Sequence, residues 1–388
     1  MLLKAPTTRA TRRLFTRSRL TTTITSLRFS SSTSASASAS SIASSFLSRF
    51  QSLGPQTRTQ TLDANQLRLL SLTLNRPSLF PSFPTLSSTS SASHTTPATE
   101  IPDGTPLPAG YHLVYFTPAF LENELGADGT DTSYNPAHPF TRRMWAGGEV
   151  RWPRDGKGRV NPLRVGQMVS ETTRVLSAEA KIIRKTGEEM VVVGVEKAFE
   201  NEGGVAVVDR RNWVFRKALP PPSETTATKA QAQSLPPPNP PSGSPATSET
   251  TSSDDGKQHT RTHSQTPVTL FRFSALTFNP HKIHYSLPWA RDVEGHRDIV
   301  VHGPLNLINI LDLWRDVRNG SALEGELDMN RVLPERIVYR ATSPIYAGDE
   351  YRVVLNEEEG KSKVEIVLPS GNVGMKAEVF GVDSCVSL

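Results

Sequence analysis

Apolar positions along the chain fall into two rhythms. Over residues 304–314, PLNLINILDLW, the side chains of Leu305, Leu307, Ile308, Ile310, Leu311, Leu313 and Trp314 leave almost no polar face. That predicts a helix enclosed by other elements, not one lying on a surface. Pro304 suits a first helical position, because the amide it lacks goes unpaired there in any residue. Downstream, residues 336–341, 350–355, 363–368 and 375–380 are short apolar-rich runs divided by turn residues such as Gly348, Asp349, Pro369 and Gly371, and they predict strands. Upstream, residues 268–278 read as a strand and 299–302 as a shorter one. Between them a polar excursion carries Asn279, His281 and His284.

A second region, 107–217, has the same mixture. Thr117 and Pro118 supply a cap and a first-turn proline ahead of Phe120, Leu121 and Leu125 at helical spacing. Strands are predicted in MWAGGEVRWP, residues 144–153, and at 167–175, 180–185, 190–199, 204–210 and 213–216. Residues 190–195 are apolar at successive positions, which predicts a strand covered on both faces. Residues 41–106 read as a mostly disordered leader with one short helix marked by Leu67, Leu70 and Leu74. Residues 218–266, rich in proline and polar side chains, cannot form a core and read as a disordered linker between two folded parts, 107–217 and 267–388.

Charge changes this picture only at the start. The net charge is +5, but residues 1–62 hold nine basic residues and no acid, so the remainder nets −4. Basicity therefore belongs to the first segment and gives no support to a nucleic-acid partner for the folded part. Residues 1–40, rich in Arg, Ser and Thr, read as a mitochondrial transit peptide leading to the matrix, with Arg28, Phe29 and Ser30 as a processing site. No stretch is apolar enough to predict a membrane span. The single cysteine, Cys385, excludes an intrachain disulfide and a cysteine metal cluster. His281 and His284 have no further carboxylate or thiol at ligand spacing, so no metal is expected.

Two imidazoles and an amide on one excursion facing a helix start suit proton transfer beside an oxyanion site. The stretch TFNPHKIH, residues 277–284, resembles the motif of the MaoC-like (R)-specific enoyl-thioester hydratases and hydroxyacyl-thioester dehydratases. His284 falls on the family's histidine and Ala290 on its alanine. Asn279 stands where relatives carry Asp, and His281 where they carry Asn. The chain looks most similar to the mitochondrial hydroxyacyl-thioester dehydratase type 2 group, with mesaconyl-CoA hydratases as near relatives.

The resemblance implies an α+β double hot-dog, two antiparallel sheets each wrapping a helix, in a monomer that is an internal pseudo-dimer or in a homodimer. It implies reversible dehydration of (3R)-3-hydroxyacyl thioesters carried on acyl-carrier protein or coenzyme A, without a cofactor. The substrates would come from mitochondrial type II fatty acid synthesis or be mesaconyl- or itaconyl-type thioesters. His284 would take the C2 proton, Asn279 and His281 would orient or protonate the hydroxyl, and the Gly303 amide would hold the thioester oxyanion. Trp145, Gly147 and Gly148 are candidate acyl-pocket residues, Trp152 is either pocket or packing, and His302 reads as a structural residue at a strand end. With Asn279 in place of the acid, a non-catalytic acyl-thioester binding protein of the same fold stays open, as does a thioesterase.

Overall fold

The structure, a computed structural model, describes residues 38–80, 83–87, 89–90, 95–96, 99–184, 186–219, 249–320 and 327–382. Residues 1–37 of the transit-peptide reading, most of the proline-rich linker and Cys385 lie outside the described residues, while residues 38–40, the end of that reading, cap and open a helix.

The chain begins with helix α1 (Ala39–Leu53), strand β1 (Gln56–Thr61) and helix α2 (Ala64–Thr73), followed by a two-residue pairing of β2 (Thr89–Ser90) with β3 (Thr95–Thr96). Then come β4 (Arg142–Arg151), β5 (Met168–Ile182), β6 (Glu189–Asn201), β7 (Gly204–Arg216), β8 (Thr250–Ser252) and β9 (Gln258–Ser264). Helices α3 (Pro267–Leu276), α4 (Gly303–Gly320) and α5 (Met329–Val332) precede β10 (Arg336–Ala341), β11 (Glu350–Glu358), β12 (Lys361–Val367) and β13 (Val373–Phe380).

All strands but β2 and β3 join one antiparallel sheet in the order β1-β5-β6-β7-β4-β10-β13-β12-β11-β9-β8. The β4–β10 pairing, which sets Val150 opposite Ile337 and Gly148 opposite Tyr339, fuses two half-sheets into the expected double hot-dog. The second half-sheet wraps α4. Every apolar side chain from Leu305 to Trp314 is at most 1% exposed, as the sequence pattern requires. The helix also buries Arg315, whose Nη1 lies 2.8 Å from Asp312 Oδ1, while Asp316 takes a two-pronged contact from Arg76, at 2.8 Å on each prong, and a third from Arg261 at 2.8 Å. Ion pairs thus fasten α4 to the segment after α2 and to β9.

Several expectations are corrected. Residues 41–106 are not mostly disordered. Ser38 caps α1 by accepting from the Ser41 amide, and Asp63 caps α2 by accepting from Gln66. Ile42, Ala43 and Phe46 of α1 are buried against Val191, Val193 and Phe215, while Leu67 and Leu70 of α2 enter the main core. β1 pairs with β5. Residues 268–278 form a helix, not a strand. Thr266 accepts from the Thr269 amide and Pro267 opens the first turn, a start signal that outweighs an apolar run of ambiguous period. At Thr117 the cap leads only to a three-residue 3₁₀ turn, Glu122–Glu124, because Leu121 has no core to enter and stays exposed. The separate strands at 167–175 and 180–185 are one strand, β5, with a bulge between Val175 and Ser177. In β6 the odd-numbered residues from Val191 to Asn201 are buried, while Met190 and Val192 are only partly so and Gly194 is the one buried even-numbered position, which corrects the two-face reading to near-alternation. The end of the linker contributes β8 and β9 to the sheet edge.

Asp316 is the acid on which three guanidinium groups converge, those of Arg76, Arg261 and Arg315, so Asp316→Ala takes a shared partner from buried cations and leaves only Asp312 beside Arg76 and Arg315. A loss of about 3 kcal/mol is expected in urea unfolding; a loss below about 1 kcal/mol would show the network to be dispensable.

Candidate active site

Helix α3 ends in a reversal that delivers the polar excursion. The Asn279 amide donates to Ser274 O at 2.9 Å and the Phe278 amide to Ala275 O at 3.2 Å, with Phe278 in the left-handed region at φ 47°. A turn of the first half then clamps the excursion. The Lys282 amide donates to Asp128 O at 2.8 Å and Lys282 Nζ to Ala127 O at 2.7 Å. Gly129, at φ +85°, lies so close that a Cβ there would sit 2.2 Å from Pro280 O.

This placement packs three imidazoles together at one side of a cavity of roughly 1270 Å³ between the halves. The His284 ring stacks on His302 with centroids 3.6 Å apart and planes at 18°, and meets His281 edge-on at 5.3 Å. His284 Nδ1 is 2.7 Å from Val300 O. A carbonyl can only accept, so Nδ1 carries the proton and Nε2 keeps a bare lone pair. Burial pulls the His284 pKa down to about 4, the nearby His296 adding to the shift while the Val300 hydrogen bond opposes it. His281 and His302 are likewise held well below the ordinary value, by burial first and by their imidazole neighbours second. All three are neutral near pH 7.

His281 Nε2 is buried without a hydrogen-bond partner, and the nearby Asp128 Oδ2 is 3.8 Å away. Asn279 Oδ1 accepts from the His281 amide at 3.3 Å, so that oxygen helps shape the loop, although the residue still lines the cavity. His302 is more than the strand-end residue the sequence suggested. It faces the cavity, its Nε2 is 2.9 Å from Ser274 Oγ, and its buried Nδ1 has no hydrogen-bond partner. Its place next to Gly303 is the signal that could have marked it.

Gly303 opens α4 and lines the cavity. A Cβ on it would lie 2.1 Å from Trp145 Cε3, so the missing side chain admits the indole, which also stacks on Tyr339 at 4.8 Å. Trp145 therefore lies in the cavity wall. Gly147 and Gly148 do not line the cavity. A Cβ on Gly147 would come within 2.4 Å of Tyr339 O and one on Gly148 within 2.0 Å of Arg210 O, so they permit close strand approach. Trp152 is core packing. Among the described residues no group of three or more His, Cys, Asp or Glu could hold a metal ion, and no helix is long and apolar enough to cross a membrane.

The hydroxyacyl-thioester dehydratase type 2 family profile matches residues 110–347. A mesaconyl-C(4)-CoA hydratase from Chloroflexus aurantiacus is 27% identical over 277 residues, covering 71% of this chain and 83% of its own. A mitochondrial hydroxyacyl-thioester dehydratase type 2 from Schizosaccharomyces pombe is 26% identical over 263 residues, covering 65% and 79%. The crystal structure of a MaoC-like dehydratase from Phytophthora capsici superposes with a TM-score of 0.50 at 13% identity, over 85% of this chain and 96% of that one, which shows the shared fold. The profile spans more than half of the sequence, and the chain belongs to the hydroxyacyl-thioester dehydratase type 2 family, hydro-lyases of acyl thioesters.

Proposed function

We propose that the chain interconverts (3R)-3-hydroxyacyl thioesters and trans-2-enoyl thioesters, with His284 as the base. The observation that carries this reading is the Nδ1 contact to Val300 O, which leaves Nε2 bare in a cavity that also reaches the start of α4. In the dehydration direction Nε2 takes the C2 proton, and charge builds on the thioester oxygen. The Gly303 amide, at the positive end of the α4 dipole, favours that charge, while Pro304 has no N–H to offer and the Asn306 amide is already donated to His302 O at 3.2 Å. The C3–O bond breaks while the hydroxyl is hydrogen-bonded by His281. The proton on His284 then joins the departing hydroxide to give water. His302, neutral and stacked on His284, offers a ring face to the imidazolium that forms transiently.

The acid-free, basic first 62 residues and the mitochondrial names of two relatives support action in mitochondria. Fatty acid synthesis there is one source of such substrates; a mesaconyl-type dicarboxylic thioester, in keeping with the name of the Chloroflexus relative, is the other.

Two measurements test the chemistry. His284→Ala should lower hydration of 2-enoyl-CoA by a factor on the order of 10² to 10⁴ while circular dichroism stays native; an unchanged rate removes His284 from the mechanism. The base must be neutral to act, so kcat/KM should stay level as pH falls from 7 to 5 and drop only near the His284 value of about 4. An acid limb near 6.5 would mean that another group is titrating.

A further inference from the structure

The inward faces of the two half-sheets differ in kind. In the second half this face meets α4 through apolar side chains such as Val353, Leu355, Val364 and Ile366. In the first half the inward positions of β5, β6 and β7 are the odd-numbered ones. Helix α1 covers one end of that face, at Val191 and Val193. At the other end Phe199 packs on Phe116 and His112. The band between is polar: Glu171 and Thr173 on β5, Lys197 on β6, Asp209 and Arg211 on β7, with Arg58 reaching in from β1.

These groups are wired together. Glu171 accepts from Arg58 Nε at 3.1 Å and from Lys197 Nζ at 2.9 Å, and Arg211 grips Asp209 through Nε at 2.8 Å and Nη2 at 2.5 Å. The band contains three cations against two carboxylates, one positive charge in excess. Arg58, Glu171, Thr173, Lys197 and Arg211 all line the cavity that holds His284 and Gly303. Laying a hydrocarbon chain along this wall would strip water from polar groups with nothing in return. A ligand anion would supply the missing negative charge.

We propose that this wall is an anion subsite for the far end of the acyl group, so that the preferred substrate is a short acyl thioester bearing a second carboxylate, held by Arg211 and Lys197. The proposal rests on the hydratase reading and narrows it to a substrate class. Arg211 is the more suitable holder, because Asp209 occupies Nε and Nη2 and Nη1 is left for a ligand oxygen.

The test compares saturated diacyl- and monoacyl-CoA pairs, which bind but cannot be hydrated, on the full chain by calorimetry: succinyl against butyryl, and adipyl against hexanoyl. Both members of a pair share the same carrier phosphates, so any difference comes from the acyl carboxylate. At least tenfold tighter binding of one diacid than of its partner is expected. Arg211→Met should collapse that ratio to within about threefold of unity, and Arg211→Lys should keep most of it. Should Arg211→Met misfold, Lys197→Met, expected to reduce the ratio, takes its place. Equal affinities within both pairs overturn the subsite, as does a preference that survives both methionine variants. A diacid preference in a protein that hydrates no enoyl-CoA sinks the hydratase reading but leaves the subsite standing. Hydration of crotonyl-CoA without any diacid preference does the reverse.

Discussion

Burying helix α4 on all sides from Leu305 to Arg315 is the constraint on which the rest of this structure depends. A helix so apolar must be enclosed, and β10 to β13 with β9 supply a curved face that does so. Each fully buried Leu or Ile on α4 contributes about 1.5–3 kcal/mol. That gain tolerates Arg315 in the same interior only because Asp312 and Asp316 travel on the same helix face to meet it. The enclosure also fixes where the helix begins. That beginning, at Gly303, lies in the lining of the cavity where the histidines stand.

The two halves have taken different shares of the work. The second half provides α4 and all three clustered imidazoles. The first half holds them in position: the Gly126–Thr130 turn clamps the excursion through Asp128 O and Gly129, and Trp145 from β4 rests on Gly303. The β4–β10 ladder makes this possible, since it places Trp145 one strand away from Tyr339 and next to the helix start. Neither half would form the site alone.

How much of this was legible in the sequence depended on whether a local signal pointed the same way as the tertiary context. Helix α4, strands β10 to β13 and the His281–His284 excursion were legible, because an all-apolar helix and turn-bounded strands leave few alternatives. Helix α3 was misread because Val268, Phe271 and Phe273 are at home in strands, and only the Thr266–Pro267 start distinguishes the two. Helix α1 was hidden by serine-rich composition. Its apolar residues, Ile42, Ala43, Phe46 and Phe50, are few but share one face. The helix expected after Thr117 had a cap but no face to bury. The polar band could not be read at all, since a charged residue at an inward strand position looks like a solvent-facing one until the pairing register is known.

The polar band also bears on the missing acid at position 279. In a site that receives a dicarboxylic acyl group, as proposed above, a second carboxylate on the excursion would face an anionic ligand, and like charges repel. An amide there removes that repulsion and still shapes the loop through its bond to the His281 amide. The hydroxyl partner then has to be a group that is uncharged at neutral pH, and burial has already made His281 one. Asn279, the neutral imidazole cluster and the surplus positive charge in the same cavity lining are in this view parts of one electrostatic arrangement, each of which makes the others less costly.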